Sequence, residues 1–459
     1  MVIDYKIKIE DLREALEIFW KLSGEKILSI EKSFDKATGA PVFTAEGKYT
    51  TRGWTEWTQG FMYGSAILQY DATGDTQFLD IGRMGTLKHM TSHVSHTGVH
   101  DHGFNNLSTY GNLLRLIREG KLPPDEWEEN YYKLALKISG AVQAGRWTNL
   151  PEGGYIYSFN GPHSLFVDTI RSVRILAVSH LLGHVLMEEN DKKVDLLERG
   201  IQHMLATAKY SIFYGEGRDR YDVPGRTAHE SIFNTKDGNY RCPGTQQGFS
   251  GFTTWTRGLA WAIVGFAEEL ELMDVLPDSA FEAFEGRHGV VDRLTKAAKA
   301  TADFFIAETP VDGIPYWDTG APDLYKLGDY KSKVSDPFND FEPVDSSAAV
   351  IACQGMLRLG KHLEEVGQFE EGNKYTHAGL TVIKNILSDK FLSRDPEHQG
   401  LILHSVYHYP KDWDYHKAGN NIPNGESSMW GDYHAREFAI YLHKILLKEK
   451  YYTFFNSVI

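Results

Sequence analysis

Residues 345–388, DSSAAVIACQGMLRLGKHLEEVGQFEEGNKYTHAGLTVIKNILS, decide the fold class. Apolar side chains recur at helical spacing over 345–364 and again over 367–388. The charged, glycine-containing stretch LEEVGQFEEG at 363–372 breaks the pattern between them. Two helices of similar length joined by a short break form a helical hairpin. The same unit recurs along the chain. Helical spacing predicts helices near 9–23, where Leu12, Ala15, Leu16 and Phe19 share a face, and near 57–71, 76–95, 105–119, 125–144, 164–188, 192–211, 256–272, 289–308 and 430–447. YDATGD at 70–75 and MEENDKK at 187–193 read as further hairpin turns.

About a dozen helices in about six hairpins, with no strict repeat, fit a closed double ring of helices better than an open solenoid. The expected fold is therefore all-α, an (α/α)6 barrel or six-hairpin toroid, as one continuous domain with long loops at one end. Within it, residues 1–50 are expected to form a helix and an extended arm packing on the barrel, and 51–459 the barrel itself. Strand signals are confined to Ile27–Ile30 and Phe43–Tyr49. Four stretches rich in Gly, Pro and aromatics, 146–163, 213–254, 310–344 and 404–429, read as long loops. Loops of that length are uncommon unless they carry function.

The 42% hydrophobic content is enough for a large core. With 62 acidic against 48 basic residues the net charge is −14, which argues against nucleic acid as a partner and requires any anionic ligand to find a locally favourable pocket. The two cysteines, Cys242 and Cys353, lie far apart and outside any CxxC spacing, so neither a disulfide framework nor a cysteine zinc site is indicated. No apolar run approaches the ~20 residues of a membrane helix, and the first residues lack a basic-then-apolar signal pattern. The expectation is a cytoplasmic protein, or a periplasmic one had a signal peptide been removed. Nucleotide-binding glycine motifs and the GxSxG nucleophile elbow are also missing from the sequence.

Several residues have the makings of a site. Asp101, in HTGVHDHGFNN at 96–106, precedes a glycine and a helix start, where an anion is stabilised; it reads equally as an N-terminal cap. Asp168, in SLFVDTI at 164–170, falls within a strongly apolar helix pattern. Burial there raises a carboxyl pKa and suits a general acid, whereas a salt bridge with Arg171 would make it structural. Arg257 and Trp261 share a helical face beside Trp255 and Gln247, an arrangement suited to a sugar carrying a carboxylate, or to a packed Trp pair with a structural arginine. His93, His96, His100 and His102 invite a metal reading but lack an HExxH or clear third ligand, so no metal is assigned.

These segments together resemble the unsaturated glucuronyl hydrolases, glycoside hydrolase family 88. The stretches that carry the resemblance are WTEWTQGFMYG, HDHGF, FVDTIRSV, TQQGFSGFTTWTRGLAWAIVGF, GIPYWD, DSSAAVIA and SSMWGDYHAREF, spanning about Trp54 to Leu442. The resemblance implies an (α/α)6 barrel with two catalytic aspartates at Asp101 and Asp168. It places substrate contacts at Trp57, Phe61, His100, Trp147, His229, Gln247, Trp255, Arg257 and Trp261, and a segment contacting the substrate carboxylate at Gly425, Ser427 and Ser428. It implies removal of a terminal 4,5-unsaturated uronate from lyase-generated oligosaccharides by hydration of the C4=C5 vinyl ether, without cofactor, in a monomer or homodimer. An unsaturated rhamnogalacturonyl hydrolase or a saturated β-glucuronidase on the same barrel, and a non-catalytic saccharide-binding scaffold, are the competing readings.

Overall fold

A computed structural model of the protein describes residues 1–52, 56–451 and 453–458. Trp54 and Thr55, at the start of the first quoted motif, lie outside the described residues. The chain opens with α1 (Arg13–Ser33), α2 (Gln59–Thr73), α3 (Thr76–His89) and the single turn α4 (Thr91–Val94). Next come α5 (His102–Asn106), a π-helical turn at Leu107–Gly111, and α6 (Asn112–Arg118), which together make one bent helix. The sequence continues through α7 (Glu126–Ala144), α8 (Thr169–Ser172), α9 (Arg174–Leu181), α10 (Leu196–Tyr210), α11 (Thr256–Val275) and α12 (Gly286–Glu308). It ends with α13 (Ser346–Glu365), α14 (Phe369–Ile386) and α15 (Met429–Leu447).

Two layers follow from the side chains. The helices α2, α5–α6, α8–α9, α11, α13 and α15 are buried almost all round and form the inner ring. Successive members touch: α2 with α5, α5 with α8, α8 with α11, α11 with α13, α13 with α15, and α15 back onto α2. The amphipathic helices α1, α3, α7, α10, α12 and α14 expose one face and pack outside. The result is the closed α/α toroid that the hairpin count predicted. Aspartate caps set several outer and inner starts: Asp75, Asp125, Asp195 and Asp345 each accept a backbone N–H in the first turn of α3, α7, α10 and α13.

Small antiparallel pairs occupy the loops: β1 (Phe43–Ala45) with β2 (Lys48–Thr50), β3 (Trp147–Asn149) with β4 (Gly154–Ile156), and β6 (Leu186–Glu188) with β7 (Lys192–Val194). A three-stranded sheet has the order β5 (Ser164–Phe166), β8 (Glu230–Phe233), β9 (Tyr240–Gly244).

Three expectations are corrected. Ile27–Ile30 lies inside α1, because Ile27 and Ile30 are three apart and both bury on one helical face. The continuous helix expected over 164–188 divides into β5, α8, α9 and β6. Its apolar run is buried on every side in either state, so periodicity cannot separate strand from helix there. MEENDKK is accordingly the tip of the β6–β7 hairpin, with Asn190 and Asp191 in left-handed backbone, and the expected helix at 192–211 begins only at Leu196.

Candidate active site

Asp101 is the residue before α5, and Asp168 the residue before α8. Both occupy N-cap positions, yet neither side chain caps its helix. That removes the capping role as the reason for either carboxylate. Asp168 does not pair with Arg171 either; Arg171 turns away to bond Glu268 and Glu437 in the barrel core. The Asp168 Oδ1 is buried with no hydrogen-bond partner in the chain.

The local fold explains how these two acids meet. Strand β5 pairs with β8, and Val167 N–H donates to the His229 carbonyl (2.9 Å), which fixes the turn leading into Asp168. The 100–103 turn is held to α8 by Ser172: its hydroxyl donates to the His100 carbonyl and accepts from Gly103 N–H (3.1 Å), and Gln143 Nε2 donates to the same carbonyl (2.8 Å). A Cβ on Gly103 would sit 2.0 Å from the Ser172 carbonyl oxygen, so only glycine allows α5 and α8 to approach this closely.

His100 lies between the two acids, with Nε2 at 3.5 Å from Asp168 Oδ1 and 3.9 Å from Asp101 Oδ1. The electrostatics split the pair. Burial raises the Asp168 pKa, but the contact and charge of His100 outweigh it, and the net shift is below the usual carboxylate range. Burial raises Asp101, the His100 charge opposes this, the Asp168 charge adds to it, and the net shift is upward. Burial lowers His100, but the two carboxylates outweigh it and hold it above an ordinary histidine. The sequence reading expected burial alone to leave Asp168 as the raised acid. In the free protein the imidazole beside it reverses that order.

These groups face a cavity of about 250 Å³ at the loop end of the barrel. Trp57, His100, Asp101, Asp168, Gln247, Trp255, Arg257 and Trp261 all line it. Phe61 instead packs behind the wall, edge-on to Trp57 at 5.9 Å and stacked on Tyr433 at 4.8 Å. His229 sits beneath Phe166 and Trp255, with Nδ1 accepting from Gln246 N–H (3.0 Å). Burial lowers its pKa to about 4, so it is neutral, its proton sits on Nε2, and that atom has no partner in the chain.

Other expected contacts go elsewhere. Trp147 lies on β3, donating to Asn149 and stacked by Arg199, and does not line the cavity. Gly425, Ser427 and Ser428 hold the chain's closure: Gly425 N–H donates to His404, Ser427 exchanges hydrogen bonds with Thr44 on β1, and Ser428 caps α15. Arg257 lines the cavity, but its terminal nitrogens are spent on Asp345, Gln247 and the carbonyls of Val406 and Tyr407. It is sandwiched by Trp255 and Trp430, with centroids at 4.6 and 4.8 Å. These contacts clamp the 404–429 loop onto α11. In the histidine cluster, His93 and His102 are likewise committed, to Gln59 and to Ser139 and the His96 carbonyl.

Sequence reasoning missed the loop residues. Phe159 and Asn160 come from the 146–163 loop, and Tyr407, His408, Lys411 and Trp413 from the 404–429 loop. Asp414 folds the latter by accepting the N–H groups of Tyr407 and His408; burial raises its pKa to about 6. The cluster of aromatics and histidine in YHYPKDW at 407–413 was the available signal.

No protein-family model matches the chain. Curated relatives do. The unsaturated glucuronyl hydrolase of Bacillus sp. (strain GL1) is 26% identical over 408 residues, covering 88% of this chain and 90% of that one. The unsaturated chondroitin disaccharide hydrolase of Streptococcus pneumoniae is 24% identical over 410 residues, covering 87% and 85%. Among solved structures, the Bacillus sp. GL1 unsaturated glucuronyl hydrolase superposes with a TM-score of 0.67 at 22% identity, over 92% of this chain and 96% of that one. An unsaturated glucuronyl hydrolase specific for heparin gives 0.70 at 18%, over 95% and 98%. Those structural likenesses establish the barrel. Fold and relatives together make the chain a glycoside hydrolase. The relatives it matches along most of its length are unsaturated glucuronyl and unsaturated chondroitin disaccharide hydrolases. Among the described residues no helix is long and apolar enough to cross a membrane.

Proposed function

We propose that this chain removes the non-reducing terminal 4,5-unsaturated uronate from lyase-generated oligosaccharides, with Asp168 as the proton donor and Asp101 as its partner. The observation that carries this is the meeting of two non-capping carboxyls and one imidazole on a single aromatic-walled cavity. Aromatic faces suit sugar rings, and a carboxyl pair with divided pKa values suits proton transfer. The enol ether is protonated at C4 by Asp168, positive charge develops at C5 and the ring oxygen, and water adds at C5 while its proton returns to Asp168. The hemiketal so formed rearranges and releases the remaining saccharide. The Nε2–H of His229 and the Gln247 side chain orient the sugar or the water.

The pKa order in the free protein bears on the roles. A bound uronate brings its own carboxylate and expels water, and both effects favour the acid form of Asp168. His100, its pKa raised by the two carboxylates and its Nε2 3.5 Å away, is the nearest proton source. The raised Asp101 supports a second reading in which the two aspartates exchange roles.

Adding the protein to a panel of unsaturated disaccharides should bleach the chromophore of the conjugated double bond. A saturated aryl glucuronide cleaved faster than every unsaturated disaccharide would overturn the reading. The pH profile of kcat/KM should be bell-shaped, because one proton shared by the pair is the working state. Activity rises as pH climbs through the lowered Asp168 and falls as pH passes the raised Asp101 and His100. Asp101→Asn removes a like charge, lowers the Asp168 pKa and moves the acid limb to lower pH; an unmoved limb would show the two carboxyls to be uncoupled.

A further inference from the structure

Helix α7 lies in the outer layer, and its solvent side is not polar. Trp127, Tyr131, Leu134 and Ile138 are 88%, 37%, 55% and 36% exposed. Their spacing of four, three and four residues puts all four on one stripe, the seam of a helix that packs against another helix. Trp127 is the most exposed large apolar side chain among the described residues. Arg83 pairs with Glu128 at 2.9 Å, so α3 runs beside the start of α7, and its Met84 and Leu87 are 45% and 37% exposed. Single exposed apolar residues need no explanation, but contiguous patches on a protein surface mark interfaces.

Charge selects the occupant. The first half of α7 is acidic, with Glu126, Glu128 and Glu129, and the second half is basic, with Lys133 and Lys137. Glu126 and Lys137 flank the stripe on the same side and make no ion pair within the chain among the described residues. If a second α7 is laid antiparallel on the first, Trp127 meets the other copy's Ile138, Tyr131 meets its Leu134, and Lys137 falls beside its Glu126. The pattern is therefore self-complementary, as a two-fold interface requires.

We propose that the protein forms a two-fold homodimer in which α7 packs antiparallel on α7 of a second copy. None of these α7 residues lines the cavity, and the proposal does not depend on the reaction. Sedimentation of the full chain should give the mass of two chains at micromolar and higher concentration. Trp127→Glu with Leu134→Glu should give the mass of one chain with unchanged circular dichroism and unchanged activity per chain. Lys137→Glu should weaken the dimer, and adding Glu126→Lys should restore it. In a Cys242→Ser background, chains carrying Tyr131→Cys mixed with chains carrying Leu134→Cys should cross-link faster than either alone, which only the antiparallel register gives. A wild-type chain that stays monomeric throughout, or a dimer indifferent to the Trp127 and Leu134 changes, overturns the proposal.

Discussion

Asp168→Asn is expected to lower turnover of an unsaturated disaccharide by about a thousandfold or more while leaving the fold intact, since general acid catalysis alone supplies ~100- to 10,000-fold. The amide has the shape of the carboxyl it replaces. The carboxyl makes no capping bond that the amide would lose, and its Oδ1 is without a hydrogen-bond partner in the chain, so little structural role is removed. Asp101→Asn should cost less, about a hundredfold, because it withdraws a field and a share of the pair's proton rather than the donor itself. Single-turnover rates with matched circular dichroism and melting curves make the comparison. Near-normal turnover by Asp168→Asn would end the assignment, and an inverted order, with Asp101→Asn the deader variant, would establish the exchanged roles.

The second large effect is on stability. Arg171 is 1% exposed in the inner ring, where Nε meets Glu268 at 2.9 Å and a terminal nitrogen meets Glu437 at 2.6 Å. Arg174 shares Glu268 at 2.8 Å, and Gln354 bonds Glu437 at 3.0 Å. Arg171→Met should destabilise the protein by about 3 kcal/mol or more, because removing one partner of a buried pair strands the other's charge in a low-dielectric interior. The neighbours that remain keep the cost from rising further. Lys296→Ala, which breaks the exposed contact with Glu216 at 2.7 Å, should move the unfolding midpoint by little, since such surface pairs contribute less than ~1 kcal/mol. Urea unfolding of the two variants tests this; equal midpoints would show the buried network to be dispensable. The network also supports the site, because the Arg171 guanidinium lies 5.9 Å from the Trp261 ring at the cavity wall.

Those two experiments probe residues of different legibility. The helical hairpins were readable because an amphipathic outer helix imprints its period on the sequence, as at 345–388. The segment around Asp168 was not, because a run buried on all sides carries no period, and β5 and α8 were merged into one helix. Asp101, Asp168 and the WTRGLAW run were visible as residue types that a helical protein has no routine use for. Their protonation was not, since the sign of the Asp168 shift depends on His100, a neighbour 68 positions away in sequence that only the fold brings to 3.5 Å. The partners of Arg257 were not legible either, since sequence shows its charge and not the carbonyls of the 404–429 loop that accept from it.

The inner ring is closed by α15 packing on α2, with Phe43 bridged to Ser428 and Thr44 N–H bonded to the Ser427 carbonyl at 2.9 Å. During synthesis on the ribosome, then, both aspartates emerge hundreds of residues before the wall that encloses them. Early helices must wait, apolar faces uncovered, until α15 arrives, so the ring cannot close before the residues of α15 have been made.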